Sequence, residues 1–367
     1  MENGLPHLLD ISYPQLKELV VSFGEPAYRT DQFLNWVYKK AASSFDEMTD
    51  LPHSFRQKLS AGAILFTLIP LEEKISADKQ TRKVLFQLGD GKTIESTLMF
   101  YEKTALSRER RTVCVSTQVG CSLGCNFCAT GQQGFERHLL PGEIIEQVLN
   151  FMRLIKGEIP QFESGLTRRP VTNVVFMGMG EPLANYENVR QAIIMLNSRR
   201  GLDLGARQMT VSTAGLVPQI CRLADENLPV ELAISLHAAN DTLRNRLMPV
   251  NKIYPLDQLI PACREYFEKT GRRPTFEYAL FKGINDSLQN ARELAQLLKG
   301  LNCSVNIIVG NPTARLEYRS SSLKQADAFQ TQLTALGIAA TTRISRGTDI
   351  EAGCGQLKSR ITLSSSA

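Results

Sequence analysis

After Arg111 the chain repeats one alternation that few folds accommodate. Runs rich in β-branched and aromatic residues (TVCVSTQ, TNVVFMG, MTVSTAG, ELAISLH, TFEYALF, SVNIIVG, ATTRIS) alternate with longer stretches. Those stretches, among them PGEIIEQVLNFMRLI, YENVRQAIIMLNS, PLDQLIPACREYFEK, LQNARELAQLLKG and LKQADAFQTQLTALG, space their apolar residues as helices do. A helix between two strands returns the chain to its starting edge, so successive strands lie parallel and the helices cover them. The expectation is an α/β fold, a parallel sheet wrapped by helices as an open or closed barrel. Chemistry in such barrels sits at the C-terminal ends of the strands.

The preceding region is different. Residues 5 to about 60 read as short amphipathic helices. YPQLKELVVSFG stops at Gly24, TDQFLNWVYKKAA opens on a Thr30-Asp31 cap signal with Phe33, Trp36 and Val37 on one face, and LPHSFRQKLSAG ends at Gly62. Arg29, Lys39, Lys40, Arg56 and Lys58 on these helices are either phosphate contacts or a solvated face. ILFTLIPL reads as a strand, followed by a hairpin through RKVLFQLGDGKTIESTLMFY that turns at Gly89-Asp90-Gly91. The expected divisions are a helical domain over 1–62, a strand-rich extension over 63–107, a core over 108–346 and a tail over 347–367.

The chain has 367 residues, a formal charge of +5 and eight cysteines. That charge tolerates an anionic partner without requiring one. The N-terminus has no basic region followed by a long apolar run, and no stretch approaches the ~18 uncharged apolar residues of a membrane span. A cytoplasmic protein is expected, where thiols stay reduced and clustered cysteines point to metal or catalysis. Cys121, Cys125 and Cys128 stand in CSLGCNFC directly after the first strand of the alternation. Thiolates are the usual protein ligands of a four-iron cluster. Three of them leave one iron open toward the barrel mouth. The alternative is a structural zinc site completed by Cys114, although such sites usually pair two knuckles and this loop has one.

CSLGCNFC resembles the cysteine loop of radical S-adenosylmethionine enzymes. The longer string CVSTQVGCSLGCNFCATGQQGFERHL resembles the RlmN/Cfr family of RNA adenine methyltransferases, as do VVFMGMGEPLANY, VSTAG, AISLHA, GNP and TRISRGTDIEAGCGQL. The resemblance implies a partial (β/α) barrel with a small N-terminal helical accessory domain that binds RNA. It implies a [4Fe-4S] cluster held by Cys121, Cys125 and Cys128, with S-adenosylmethionine chelating the fourth iron. Gly180 and Glu181 match the stretch that holds the cofactor's amino group, and Ser212, Ser235, Leu236, His237 and Asn311 match further cofactor contacts.

The family's mechanism adds three residues. Cys354 matches a cysteine that first takes a methyl group from one cofactor molecule. A radical generated from a second molecule then activates that methyl carbon for addition to the adenine ring. Cys114 matches the thiol that attacks Cys354, forming a transient disulfide and releasing the product. Glu95 matches the base that removes the ring proton, a role within a carboxylate's reach. Carbon 2 of adenine is not nucleophilic, so simple methyl cation transfer fails there, and a covalent adduct needs a thiolate to break it.

The implied partners are 23S rRNA at the peptidyl transferase centre, certain tRNAs and a flavodoxin-like reductant, with the protein a monomer. The target base must leave its stack. SRERR at 107–111, Arg168-Arg169 and Arg199-Arg200 are candidate grips on the RNA. GQQGF resembles the carbon-2 branch rather than the Cfr-like branch that methylates carbon 8 and confers antibiotic resistance. AGCGQL carries Gly353 where the family more commonly has alanine. Readings from other classes are a radical enzyme acting on a small molecule or peptide, and a zinc-stabilised RNA-binding protein.

Overall fold

The structure, a computed structural model, describes residues 5–102, 109–158, 169–309, 311, 318–353, 356 and 357. Three antiparallel strands come first: β1 (Ile69–Ile75), β2 (Thr81–Gln87) and β3 (Thr93–Tyr101). β4 (Arg110–Cys114) pairs antiparallel with β3 and begins the parallel series. A small flap of β5 (Gln118–Gly120) and β6 (Phe135–His138) leaves the main sheet. The series then continues through β7 (Asn173–Phe176), β8 (Met209–Thr213), β9 (Glu231–Ser235), β10 (Thr275–Leu280), β11 (Ser304–Val309) and β12 (Ala340–Arg343). The ten-stranded order is β1-β2-β3-β4-β7-β8-β9-β10-β11-β12, and among the described residues β12 pairs with β11 alone. The partial barrel is therefore open between its last parallel strand and its first.

Helices precede and separate these strands. The N-terminal set is α1 (Tyr13–Ser22), α2 (Arg29–Asn35), extended by one wider turn over Trp36–Lys40, and α3 (His53–Gly62). α4 (Ala129–Gln132) follows the cysteine loop, and α5 (Pro141–Glu158) carries the chain from β6 toward β7. α6 (Tyr186–Asn197), α7 (Val217–Glu226), α8 (Asp241–Leu247), α9 (Leu256–Thr270), α10 (Leu288–Leu297) and α11 (Leu323–Ala335) complete the alternation. Burial is deepest in the middle of the parallel series, where five of the six residues of β10 are buried, and falls away at the edge strand β12. No described helix is long and apolar enough to cross a membrane.

Three local expectations are corrected. Thr30 does not cap its helix: α2 starts at Arg29, and Thr30 is fully buried within its first turn. ILFTLIPL is not one strand. Leu65 and Leu68 pack into the core, while β1 begins only at Ile69 and is exposed along its whole length. Glu72, Glu73 and Lys74 charge this free edge, which discourages pairing with another chain. TVCVSTQ also divides, because β4 ends at Cys114 and Gln118 opens the flap.

Phe33, Val37 and Phe55 of the helical region join the same apolar core as the barrel. A polar latch reinforces that junction. His7 is nearly buried between Asp10 (Nδ1–Oδ2, 3.0 Å) and Glu146 of α5 (Nε2–Oε1, 2.9 Å). Glu146 also accepts hydrogen bonds from the Thr67 and Leu68 backbone N–H groups at 2.8 and 2.7 Å. Burial opposes the charged imidazole, but the Asp10 and Glu146 carboxylates outweigh it and raise His7 to about 9. The folded state therefore binds this proton more tightly than the unfolded chain. The stabilisation is fully present below the ordinary histidine pKa of 6.5 and is lost as pH rises through about 9. His7→Gln should lower stability by up to about 3 kcal/mol at pH 6. Denaturant midpoints of the two proteins should converge by about pH 10; an unchanged difference there would sink the latch.

Candidate active site

The loops after the parallel strands surround a cavity of about 230 Å³. Cys121, Cys125 and Cys128, on the loop between β5 and β6, belong to its lining. Gly120 enables the entry: its φ is +73°, and a Cβ there would lie 1.9 Å from the Gly134 carbonyl oxygen. Asn126 docks the loop on α8, its N–H donating to the Leu247 carbonyl at 3.0 Å and its side-chain amide to that of Arg246 at 2.7 Å. Beneath, Phe127 packs edge-on to His237 and against Phe281, with ring centroids 4.9 and 5.3 Å away.

Burial raises the Cys121 thiol to about 12 and lifts Cys125 well above its ordinary value. Ionising these thiols inside the protein requires a strong positive partner such as a metal centre. Among the described residues, no three Cys, His, Asp or Glu side chains form a donor set for a single ion. A structural zinc site needs its donors around one point. A multi-iron cluster does not, because different thiolates bind different irons, and the three cysteines lining the cavity fit that group.

Gly180 and Glu181, which follow β7, line the same cavity, as do Ser212 of β8, Ser235 of β9, His237 and Asn311. Glu181 is buried, and its two carboxylate oxygens accept from the Leu183 and Ala214 N–H groups at 3.0 and 2.8 Å. Its own N–H donates to Gln118 Oε1 at 2.9 Å. Burial outweighs these hydrogen bonds and raises Glu181 to about 7. Gly180 has a φ of +102°, and a Cβ would approach Gln118 within 2.6 Å. His237 is buried and accepts the Ala279 N–H on Nδ1 at 3.0 Å, which leaves its proton on Nε2. Burial, then the nearby Arg244 charge, push His237 down to about 3 and keep the ring neutral.

Cys114, at the end of β4 opposite Thr97, also lines the cavity. Leu236 does not: it is fully buried and lies outside the lining, so its match to a cofactor contact is not expressed as a cavity-facing side chain. Glu95 is neither an exposed strand residue nor part of the lining; it is buried against Lys83, with Nζ–Oε1 at 2.9 Å. Cys354 lies outside the described residues, but Gly353 and Leu357 on either side both line the cavity. Gly353 sits close to Asn311: a Cβ would come within 2.7 Å of its side-chain nitrogen, so the glycine admits a tighter approach than alanine. Thr130 of α4 donates to the Leu357 carbonyl at 2.6 Å.

Comparison with known proteins shows the family and the fold. Residues 6–65 match the Ribosomal RNA large subunit methyltransferase N-terminal domain, and residues 115–295 match the Radical SAM superfamily. The chain is 46% identical to "Probable dual-specificity RNA methyltransferase RlmN" of Moorella thermoacetica, covering 94% of each chain. It is 45% identical to a protein of the same name from Heliobacterium modesticaldum, covering 94% of this chain and 87% of the relative. The crystal structure of a radical SAM methyltransferase from Sphaerobacter thermophilus superposes with a TM-score of 0.89 at 46% identity, covering 96% of this chain and 99% of that one. The chain belongs to the RlmN family. As a radical SAM methyltransferase fold it implies S-adenosylmethionine and a four-iron cluster.

Several basic residues of this RlmN-family chain are already engaged. Arg111 is buried and donates to the Pro170 and Arg169 carbonyls, which ties β4 to the segment before β7. Arg169 pairs with Asp203 at 2.7 Å, and Arg200 with Asp31 at 2.7 Å. Arg56 and Lys58 donate to the Asp46 and Phe23 carbonyls. Ser107, Arg108 and Arg168 lie outside the described residues.

Arg244 escaped the sequence reading. It is fully buried on α8 and donates to the carbonyls of Ala214 (2.6 Å), Ser235 (3.2 Å) and Leu236 (3.2 Å), and to Asn251 Oδ1 (2.7 Å). It ties the ends of β8 and β9 beneath the cavity, and burial lowers it to about 10. Its signal in the sequence was slight, one arginine within the capped helix opened by Asn240. Arg244→Met should destabilise the cluster-free protein by at least about 3 kcal/mol, since several buried carbonyls lose a charged donor. Urea unfolding of the two proteins measures this; a loss under about 1 kcal/mol would show the strut to be dispensable.

Proposed function

We propose that the chain methylates carbon 2 of an adenine in 23S rRNA and in some tRNAs, with Cys354 as methyl carrier. The observation that carries this reading is one cavity bordered by Cys121, Cys125 and Cys128, by Cys114, and by Gly353 and Leu357 on either side of Cys354. The names of the relatives, dual-specificity RNA methyltransferases, support the substrate class.

Cys121, Cys125 and Cys128 would hold the [4Fe-4S] cluster, while Gly180, Glu181, Ser212, Ser235, His237 and Asn311 would hold S-adenosylmethionine. When bound, these groups supply the methyl carbon and the one-electron chemistry that a non-nucleophilic ring carbon requires. Cys354 would carry that carbon as a thioether; with one hydrogen atom and one electron passing to the one-electron chemistry those groups supply, the carbon would bond to carbon 2 while Glu95 takes the carbon-2 proton. Cys114 then attacks the Cys354 sulfur. The carbon–sulfur pair returns to the carbon, which gains a proton, and a Cys114–Cys354 disulfide remains for an external reductant to open. The helical region over 1–62 would grip folded RNA by shape and phosphate. The monomeric state, cytoplasmic location and flavodoxin-like electron donor belong to the same reading.

Nucleoside mass spectrometry tests it in a host lacking its own enzyme. Expression should produce 2-methyladenosine in 23S rRNA and in tRNA; 8-methyladenosine would move the chain to the Cfr-like branch. Cys354→Ala should abolish the product, whereas Cys114→Ala should retain the cluster and accumulate RNA covalently bound to protein. Anaerobically prepared protein should contain about four irons per chain and lose them in Cys125→Ala. Zinc without iron would instead identify a zinc-stabilised RNA-binding protein.

A further inference from the structure

The β2–β3 hairpin places Lys83 and Glu95 on the face that borders the cavity. Lys83 stands opposite Thr97, and Thr97 opposite Cys114, in one continuous register. Thr97 and Cys114 line the cavity, and Glu95 lies two residues before Thr97 on the same face of β3. Lys83 and Glu95 are both buried and form an ion pair at 2.9 Å. An ion pair is a costly way to hold a hairpin together, since desolvation consumes much of its attraction and an apolar pair serves as well. A lysine ammonium has three donors, however, and this one reaches beyond Glu95.

Its second partner belongs to the tail. Lys83 Nζ donates to the carbonyl oxygen of Glu351 at 3.3 Å. Strand β2 and the turn before it receive the preceding tail residues: Thr81 opens β2, and Ala77 lies between β1 and β2. The Ala77 N–H donates to Asp349 Oδ2 at 2.8 Å, and Gly347, with a φ of +63°, lies so close to Thr81 that a Cβ would come within 2.6 Å of its methyl carbon. The Ala352 N–H returns to the Gly347 carbonyl at 2.8 Å and closes the tail into a loop. Gly353 then meets Asn311 at the cavity, one residue before Cys354.

We propose that Lys83 is a positioning residue for methyl transfer: it holds the Glu95 carboxylate and the Glu351 carbonyl together, fixing the base relative to the tail that carries Cys354. The proposal rests on the roles given above to Glu95 and Cys354. It assigns Lys83 no contact with the reacting atoms. Arginine can retain the charge and donors, though with a different shape, whereas methionine fills the space without either.

The test compares Lys83→Met, Lys83→Arg, Glu95→Gln and the Lys83→Met/Glu95→Gln double variant as cluster-loaded protein. Thermal melts confirm folding, and intact mass confirms methylated Cys354. Lys83→Met should speed amide exchange across residues 347–353 and slow single-turnover methyl transfer to RNA by about a hundredfold. Lys83→Arg should recover transfer to within about tenfold of the parent, and the double variant should be no slower than Glu95→Gln alone. Independent, multiplicative losses would overturn the coupling, as would a folded Lys83→Met that transfers at the parent rate. A fully active Glu95→Gln would instead remove the base assignment on which the proposal rests. Absence of methyladenosine with the parent protein would remove the substrate reading, a separate failure.

Discussion

A parallel sheet sends every strand's C-terminal end to the same rim, and the loops that follow must converge there. This orientation brings together side chains that are distant in sequence, including Cys121, Gly180, Ser212, Ser235 and Asn311. It also creates a difficulty, because the series stops at β12 without pairing to β4 among the described residues. The tail from Gly347 to Gly353 crosses to β2 and the turn before it through side-chain and backbone contacts. The docked tail thereby contributes Ala352, Gly353 and Leu357 to the cavity lining. A closing strand would have spent its backbone groups on a ladder, whereas a docked tail can bring a cysteine to the rim.

Loops at such a rim lack the regular hydrogen bonding of a strand, yet their polar groups are buried. Side chains take over that role. Arg244 satisfies carbonyls at the ends of β8 and β9, while Glu181 satisfies N–H groups after β7 and β8. Both charges are held chiefly by peptide dipoles, with burial pulling each toward its neutral form. The neutral His237 fits this environment, since a second cation beside Arg244 would be repelled. The electrostatics of the cavity are thus set by how its loops are tied.

The alternation made the parallel strands legible, because β-branched runs such as TNVVFMG and SVNIIVG recur between helical stretches. The cysteine loop was legible for a different reason: its chemistry is local, with all three thiols in eight residues. The tail's docking was not. Lys83 and Glu351 are separated by 268 positions, and neither has a local feature that identifies the other. The ILFTLIPL segment misled because apolar content does not distinguish a buried connection from a strand, and its last residues enter an exposed edge. The Thr30 cap signal failed because the preceding turn already starts the helix, after which tertiary packing buries the threonine.

The basic surface raises a different question of balance. Arg169 and Arg200 are partly or well exposed, and each is paired with an aspartate. An exposed pair contributes little to stability, because water already solvates both partners and holding two side chains together costs entropy. A phosphate can replace such an aspartate at small cost, so these pairings keep the arginines ordered without consuming them. Arg111 differs: it is buried and hydrogen-bonded to two carbonyls, and withdrawing it toward RNA would leave those acceptors unsatisfied. Within the described part of SRERR the two neighbouring arginines thus differ, since Arg111 is committed to the fold while Arg110 at the start of β4 stays exposed.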